Sequence, residues 1–194
     1  YFADPIPQLR EVLQQDEKCG LATCMLTFEL LRNPVIPVDV LAGDISSSSN
    51  SSNSSNNNNG DEITTLLNQL ENNFDNLTSR EQIFASAALQ WSEGNYSECG
   101  KLLESIVLNS ETNGDVLALR LAQDCYLTQS GGIANNSNSL KCITRCLQLL
   151  DDTHFLHGNL LGMLSCGYLE CGNINEAEEL SSRAVERTKG RDLF

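Results

Sequence analysis

Four residues between positions 142 and 157 are of the types that bind zinc. Cys142, Cys146, His154 and His157 form the pattern C-x3-C-x7-H-x2-H, and sulfur and imidazole nitrogen are the usual ligands of zinc in proteins. The two cysteines, however, lie one turn apart in an apolar helical pattern, where cysteine acts as a small hydrophobic residue. The gap to the histidines is also short for a zinc finger. We therefore expect packing roles for these cysteines and no metal site.

Groups that could perform catalysis are few. A nucleophilic mechanism needs Cys or Ser beside a His and an acid, but the chain has two histidines and no spacing ties either of them to a nucleophile. Asp151 and Asp152 could form an acid pair, although charge near a helix start is explained by the helix dipole. The stretch "SGG" at 130–132 lacks the preceding strand and following lysine of a phosphate-binding loop. The sequence therefore predicts no catalytic residues and no cofactor.

The overall charge restricts the classes of partner. Among 194 residues, 12 are Lys or Arg and 26 are Asp or Glu, which gives a formal net charge of -14. Nucleic acids and anionic lipids are bound by clustered basic residues, so we expect neither nucleic acid nor membrane as a partner.

No apolar run approaches the ~20 residues that span a membrane, and no signal peptide is visible. We expect a cytoplasmic protein with reduced thiols at its eight cysteines, and a chain that is a piece of a longer protein.

The elements that carry these residues are predicted to be helical throughout. Residues 1–34 predict a helical hairpin that is broken near Asp16, and its second helix carries an apolar stripe from Leu21 to Leu31. Residues 35–60 predict a disordered insertion, because the low-complexity run "SSSSNSSNSSNNNNG" has no apolar residue to offset the entropy of ordering. Residues 61–194 predict a helical repeat domain.

Two short stretches in this domain share one plan. "WSEGNYSEC" contains Gly94 and "YLECGNINEA" contains Gly172, and each predicts a helix that stops at the glycine and restarts. Aligning the two glycines at position 15 of a 34-residue unit gives three repeats, at about 80–113, 116–156 and 158–191, the middle one with a lengthened turn. Thr78 and Glu81 predict a capping box at the start of the first repeat.

This pattern resembles the tetratricopeptide repeat, in which small residues at positions 8 and 20 let two antiparallel helices approach. The stretch "LTSREQIFASAALQWSEGNYSECGKLL" and the later "GNLLGMLSCGYLECGNINEAEEL" are similar to the tetratricopeptide repeat protein 38 family. The resemblance covers residues 77–194 well and residues 6–75 weakly. It implies an all-α fold, a right-handed superhelix of antiparallel helical hairpins that stack as a tetratricopeptide-like solenoid. It supplies no reaction.

In such arrays the concave surface is formed by positions 2, 5, 9 and 12 of each first helix. Here these positions are Glu81, Phe84, Ala88 and Trp91, then Leu117, Arg120, Asp124 and Leu127, then Asn159, Gly162, Cys166 and Leu169. From this set we predict that a protein or peptide partner, or the remainder of the same chain, contacts Phe84, Trp91, Leu127 and Leu169, with Arg120 as the polar anchor.

The leading functional prediction is a non-catalytic scaffold for protein–protein interaction. The alternative is the N-terminal helical part of an enzyme whose catalytic residues lie in a missing C-terminal region. A third option is a homo-oligomer that forms through the open end of the solenoid, and a concentration-dependent size would indicate it.

Overall fold

The described part of the chain is mostly helical. The computed structural model describes residues 4–32, 57–109, 115–128, 136–150, 152–154 and 157–188. Within those ranges there are nine α-helices, a 3-10 turn at Phe74–Asn76 and no strand. The helices are α1 Pro5–Gln15, α2 Gly20–Leu31, α3 Asn57–Asn72, α4 Ser79–Ser92, α5 Tyr96–Leu108, α6 Val116–Thr128, α7 Asn136–Leu149, α8 His157–Glu170 and α9 Ile174–Thr188. The predicted all-α class is confirmed for these residues.

One predicted boundary differs from the structure. Residues 35–56 of the predicted disordered insertion lie outside the described part of the chain, but its last four residues belong to α3, which begins at Asn57. Extending an existing helix by a polar turn costs little, because each added residue gains a backbone hydrogen bond without nucleating a new helix. The amphipathic pattern from Asp61 onwards predicts the buried part of α3 but does not predict where the helix begins.

The chain forms two compact units, residues 1–95 and 96–194. In the first unit, α2 packs against α1, α3 and α4. Leu26 and Leu30 of α2 meet Ile63 and Leu66 of α3 in a buried cluster, while the ring of Phe28 meets Trp91 edge-on with centroids 5.7 Å apart. The sequence predicts one apolar stripe on α2, whereas the structure buries the helix on nearly all sides, as expected for a helix surrounded by three others.

Glu81 connects the starts of α2 and α4. Its Oε2 accepts the backbone N–H and the hydroxyl of Thr78, at 3.0 and 2.7 Å, and the Glu81 N–H donates to Thr78 Oγ1. These bonds form the predicted capping box, which is confirmed. Its other oxygen, Oε1, accepts the N–H of Leu21 at 3.0 Å, so one carboxylate caps two helices. The hydrogen bond from the Thr78 side chain lowers the pKa of Glu81, although partial burial opposes it.

In the second unit each helix packs against the next one along the chain, from α5 to α9, and α5 also contacts α7. Helices α8 and α9 are antiparallel: the hydroxyl of Ser165 donates to the Ala177 carbonyl at 2.7 Å, and a Cβ on Gly158 would meet Thr188 at the far end of α9. The small residues predicted to allow this approach, Ser165 and Ala177, lie at the contact.

The two turns predicted from the glycines share one geometry. Gly94 and Gly172 have φ of 77° and 79°, the left-handed conformation that glycine adopts without a steric cost. The N–H of each glycine donates to the carbonyl three residues earlier, and the next N–H donates to the carbonyl five residues earlier. These are the bonds of a glycine helix terminus. The prediction that both glycines end a helix is confirmed.

Candidate binding surface

Helix α6 is largely buried but leaves one narrow face exposed. Leu117 and Arg120 are exposed and Asp124 is half-buried, while the intervening residues, such as Leu119 and Ala122, are buried. Because they are spaced by three and then four residues, Leu117, Arg120 and Asp124 lie on one side of the helix. These are the positions that the repeat numbering assigns to the concave surface.

Helix α8 exposes the other end of the same register, one repeat later. Cys166 and Leu169, at positions 9 and 12, are exposed, with Leu169 57 % exposed, whereas Gly162 at position 5 is half-buried. Leu160, Leu161 and Leu164 are all buried. The two helices therefore expose different positions of one register, 2 and 5 on α6 and 9 and 12 on α8, and each exposed pair includes a leucine.

The arginine of the charged pair on α6 is accessible. Arg120 Nε lies 3.4 Å from Asp124 Oδ1, one turn away, and the arginine side chain is 56 % exposed whereas that of the aspartate is 13 % exposed. Because the guanidinium carries five N–H donors, its exposed part can bind a second carboxylate while the contact with Asp124 is kept.

The remaining predicted contact residues are placed differently. Phe84 is fully buried, with the guanidinium of Arg80 4.9 Å from its ring centroid, and Trp91 is 5 % exposed against Phe28. Both side chains leave little surface for a partner, and their contact role stays a prediction. Leu127 lies in α6, but its side chain is outside the described residues. Of the five predicted residues, the structure exposes Arg120 and Leu169.

A polar cluster around the buried carboxylate of Glu104 lies in the same unit as α6 and α8. The hydroxyl of Tyr126 donates to Glu104 Oε2 at 3.0 Å, and the guanidinium of Arg145 pairs with the other carboxylate oxygen. The cluster therefore joins α6, α5 and α7. Burial, together with the negative charge of Glu104, raises the pKa of Tyr126. Sequence reasoning missed this cluster, although Glu104 between the apolar positions Leu103 and Ile106 was the available signal.

The residues of the zinc pattern have structural partners. Cys142 and Cys146 are buried and hydrogen-bonded to each other, and this bond and burial raise the pKa of Cys142. His157 is buried, and its Nε2 lies 3.2 Å from Asp152 Oδ1. Arg187 of α9 donates to the Asp152 carbonyl at 2.8 Å. Asp152 therefore contacts the start of α8 through His157 and the end of α9 through Arg187. Over the described ranges, no three His, Cys, Asp or Glu side chains lie where they could share a metal ion.

No protein-family model, no curated protein and no solved structure matches this chain. Among the helices that the structure describes, none combines the length and apolar composition that crossing a membrane requires.

Proposed function

We propose that this chain is a non-catalytic scaffold for protein–protein interaction, built from tetratricopeptide-like repeats and related to the tetratricopeptide repeat protein 38 family. The observation that carries the proposal is that α6 and α8 each expose part of one register of side chains. Leu117 and Arg120 on one helix, and Cys166 and Leu169 on the other, occupy the register that the repeat numbering assigns to a partner.

The partner that fits this face is a peptide segment with apolar side chains and a nearby carboxylate. Fully burying an exposed leucine gains about 1.5 to 3 kcal/mol, so the loss of one such anchor changes the affinity about tenfold or more. The carboxylate would share Arg120 with Asp124, because the guanidinium offers a fork of N–H donors. We call the face formed by Leu117, Arg120, Cys166 and Leu169 the A-helix face, because α6 and α8 are the first, or A, helices of their predicted repeats.

A peptide-display selection with the purified chain as bait tests this proposal. We expect enriched peptides to contain spaced apolar residues with an acidic residue. Leu117→Asp and Leu169→Asp should each weaken binding of a selected peptide about tenfold or more. Val185→Asp is the matched control, because Val185 is an exposed apolar residue of α9 that lies outside the A-helix face. Selected peptides that bind all variants equally would contradict the assignment of this face.

We further propose that the repeats stack as a right-handed superhelix and that the protein is cytoplasmic. The packing of each helix of the second unit against its successor supports the stacking part of the proposal. Small-angle scattering of the purified chain is expected to give a profile that a stacked-hairpin solenoid fits better than a globular bundle of equal mass. Fractionation of cells that express a tagged chain is expected to recover it in the cytosol, and recovery in a secretory fraction would contradict that location.

A further inference from the structure

Two cysteines on neighbouring helices bring their sulfur atoms into contact. Cys99 lies in the first turn of α5 and Cys125 near the end of α6, and both side chains are fully buried. The distance between the two Sγ atoms is 3.2 Å. Because the cysteines are 26 positions apart in the sequence, this contact comes from the packing of the two helices.

The backbones are also close at this level. A Cβ on Gly100 would lie 2.6 Å from Cε1 of Tyr126, so only glycine leaves room for the ring. Gly100 and Tyr126 directly follow the two cysteines, and the approach that they permit also brings the sulfurs together. A disulfide has an S–S bond of about 2 Å and Cβ atoms about 4 Å apart. An approach of the sulfurs by about 1 Å, within the range of side-chain rotation, would form it.

We propose that Cys99 and Cys125 form a thiol–disulfide modification site, which a low-molecular-weight disulfide oxidises to an intramolecular disulfide that joins α5 to α6. The site is independent of the proposed scaffold function. It converts two free thiols, the form in which both cysteines occur in the structure, into a covalent link between two helices of one unit.

The reaction proceeds as two exchange steps. One cysteine, as the thiolate, attacks a sulfur of the reagent disulfide RSSR, forms a mixed disulfide and expels one RS⁻. The thiolate of the second cysteine then attacks the protein sulfur of that mixed disulfide, forms the Cys99–Cys125 bond and expels the second RS⁻. The two cysteine protons end on the two RS⁻ groups, so two RSH are released. The protein loses two electrons and the reagent gains them.

Access to the buried pair requires local opening. Cys125 is three residues before the end of α6, and helix ends fray at a far lower free energy than whole helices unfold. The hydrogen bond with Cys99 and burial raise the pKa of Cys125, so little thiolate forms while the helix end is closed. We therefore expect oxidation to proceed slowly at neutral pH.

A second buried cysteine pair supplies the control. Cys142 and Cys146 are as buried as the first pair and are also hydrogen-bonded to each other. They lie one turn apart on α7, where Cβ atoms are about 5–6 Å apart, beyond the separation that a disulfide accepts. The two pairs thus differ mainly in geometry.

The test is incubation of the folded, fully reduced chain with oxidised glutathione, followed by alkylation of free thiols and peptide mapping by mass spectrometry. We expect a Cys99–Cys125 cross-linked peptide, while Cys142 and Cys146 are recovered alkylated. The cross-link should raise the thermal midpoint by about 5 °C, and a reducing agent should reverse the shift. The Cys142→Ser/Cys146→Ser variant should keep the cross-link.

Several results would overturn the proposal. Recovery of Cys99 and Cys125 as free thiols, as stable glutathione adducts, or joined to the more accessible Cys166 or Cys171 would each do so. Mapping of the unmodified sequence does not depend on how well a cysteine variant folds. Cys99→Ala and Cys125→Ala serve as further checks, and each is expected to abolish the reversible shift in thermal midpoint. A shift that persists in both would also refute the assignment.

Discussion

Helices α5 and α9 occupy equivalent places in the repeat pattern and differ in what covers them. Each follows a glycine turn of the same geometry, and residues of α9 are 78 positions after their counterparts in α5. Helix α5 buries six residues, whereas α9 buries only Ala177 and Ala184. The counterparts of these two alanines in α5, Cys99 and Ile106, are buried as well.

The difference lies beside these positions, on the same side of the helix. Leu103 and Val107 of α5 are buried. Their counterparts in α9, Ser181 and Val185, are both exposed. One pattern therefore specifies which side chains share a face, and the neighbouring helices decide how wide a strip of that face is buried.

The same substitution at two equivalent valines should have unequal effects. Val107 is 1 % exposed and Val185 is 69 % exposed. Val107→Ala removes two buried methyl groups and leaves a cavity, so we expect the free energy of unfolding to fall by about 2 kcal/mol. Val185→Ala should change it by no more than about 0.5 kcal/mol. Urea unfolding followed by circular dichroism measures both, and equal losses would show that a further surface covers Val185 in solution.

The polar cluster of Tyr126, Glu104 and Arg145 should also distinguish α5 from α9. Tyr126→Phe removes the hydroxyl that donates to Glu104 and leaves a buried carboxylate oxygen without that donor. We expect a loss of about 1 to 2 kcal/mol in the free energy of unfolding. The control is Ser182→Ala, because Ser182 takes the place of Glu104 in α9, is exposed and donates within its own helix. A loss at Ser182 that matches the loss at Tyr126 would contradict the comparison.

The two turns, in contrast, should respond alike. Gly94→Ala and Gly172→Ala each place a side chain in the left-handed region, with nothing within 4 Å of the added Cβ. We expect each to lower the free energy of unfolding by about 1 kcal/mol, from backbone strain alone. Gly60→Ala is the control, since Gly60 also has open space around it but lies within α3. Alanine there should stabilise by up to about 1 kcal/mol.

The smallest expected effect is on the pH dependence of stability, through Glu81 at the starts of α2 and α4. Because the pKa of Glu81 is lowered in the folded chain, its stabilising contribution is present above the ordinary value of 4.5 and is lost as pH falls through the folded value. Glu81→Gln should therefore flatten the loss of stability below about pH 4.5. Glu176→Gln is the control, since Glu176 holds the same third position in α9 and is exposed. Thermal midpoints across this pH range report both, and identical acid profiles for Glu81→Gln and the unmodified chain would refute this prediction.

Part of the A-helix face could be predicted from the sequence. The register was available, because the repeat numbering groups Arg120 and Leu169 before any contact is known, and both are exposed. That Phe84 and Trp91 are buried could not be predicted in this way. They hold equivalent positions, but their burial depends on residues distant in the chain, such as Phe28 beside Trp91.

The local features can be predicted from the sequence: the helical segments, the glycines that end α4 and α8, and the capping box at Thr78. These depend on backbone sterics and on groups within a few residues. Three further features depend on how the helices pack: which faces are covered, that Glu81 also caps α2, and that Cys99 meets Cys125. Burial and contact between helices arise from residues far apart in the chain, and a period of 3.6 residues states which side chains share a face without stating what that face meets.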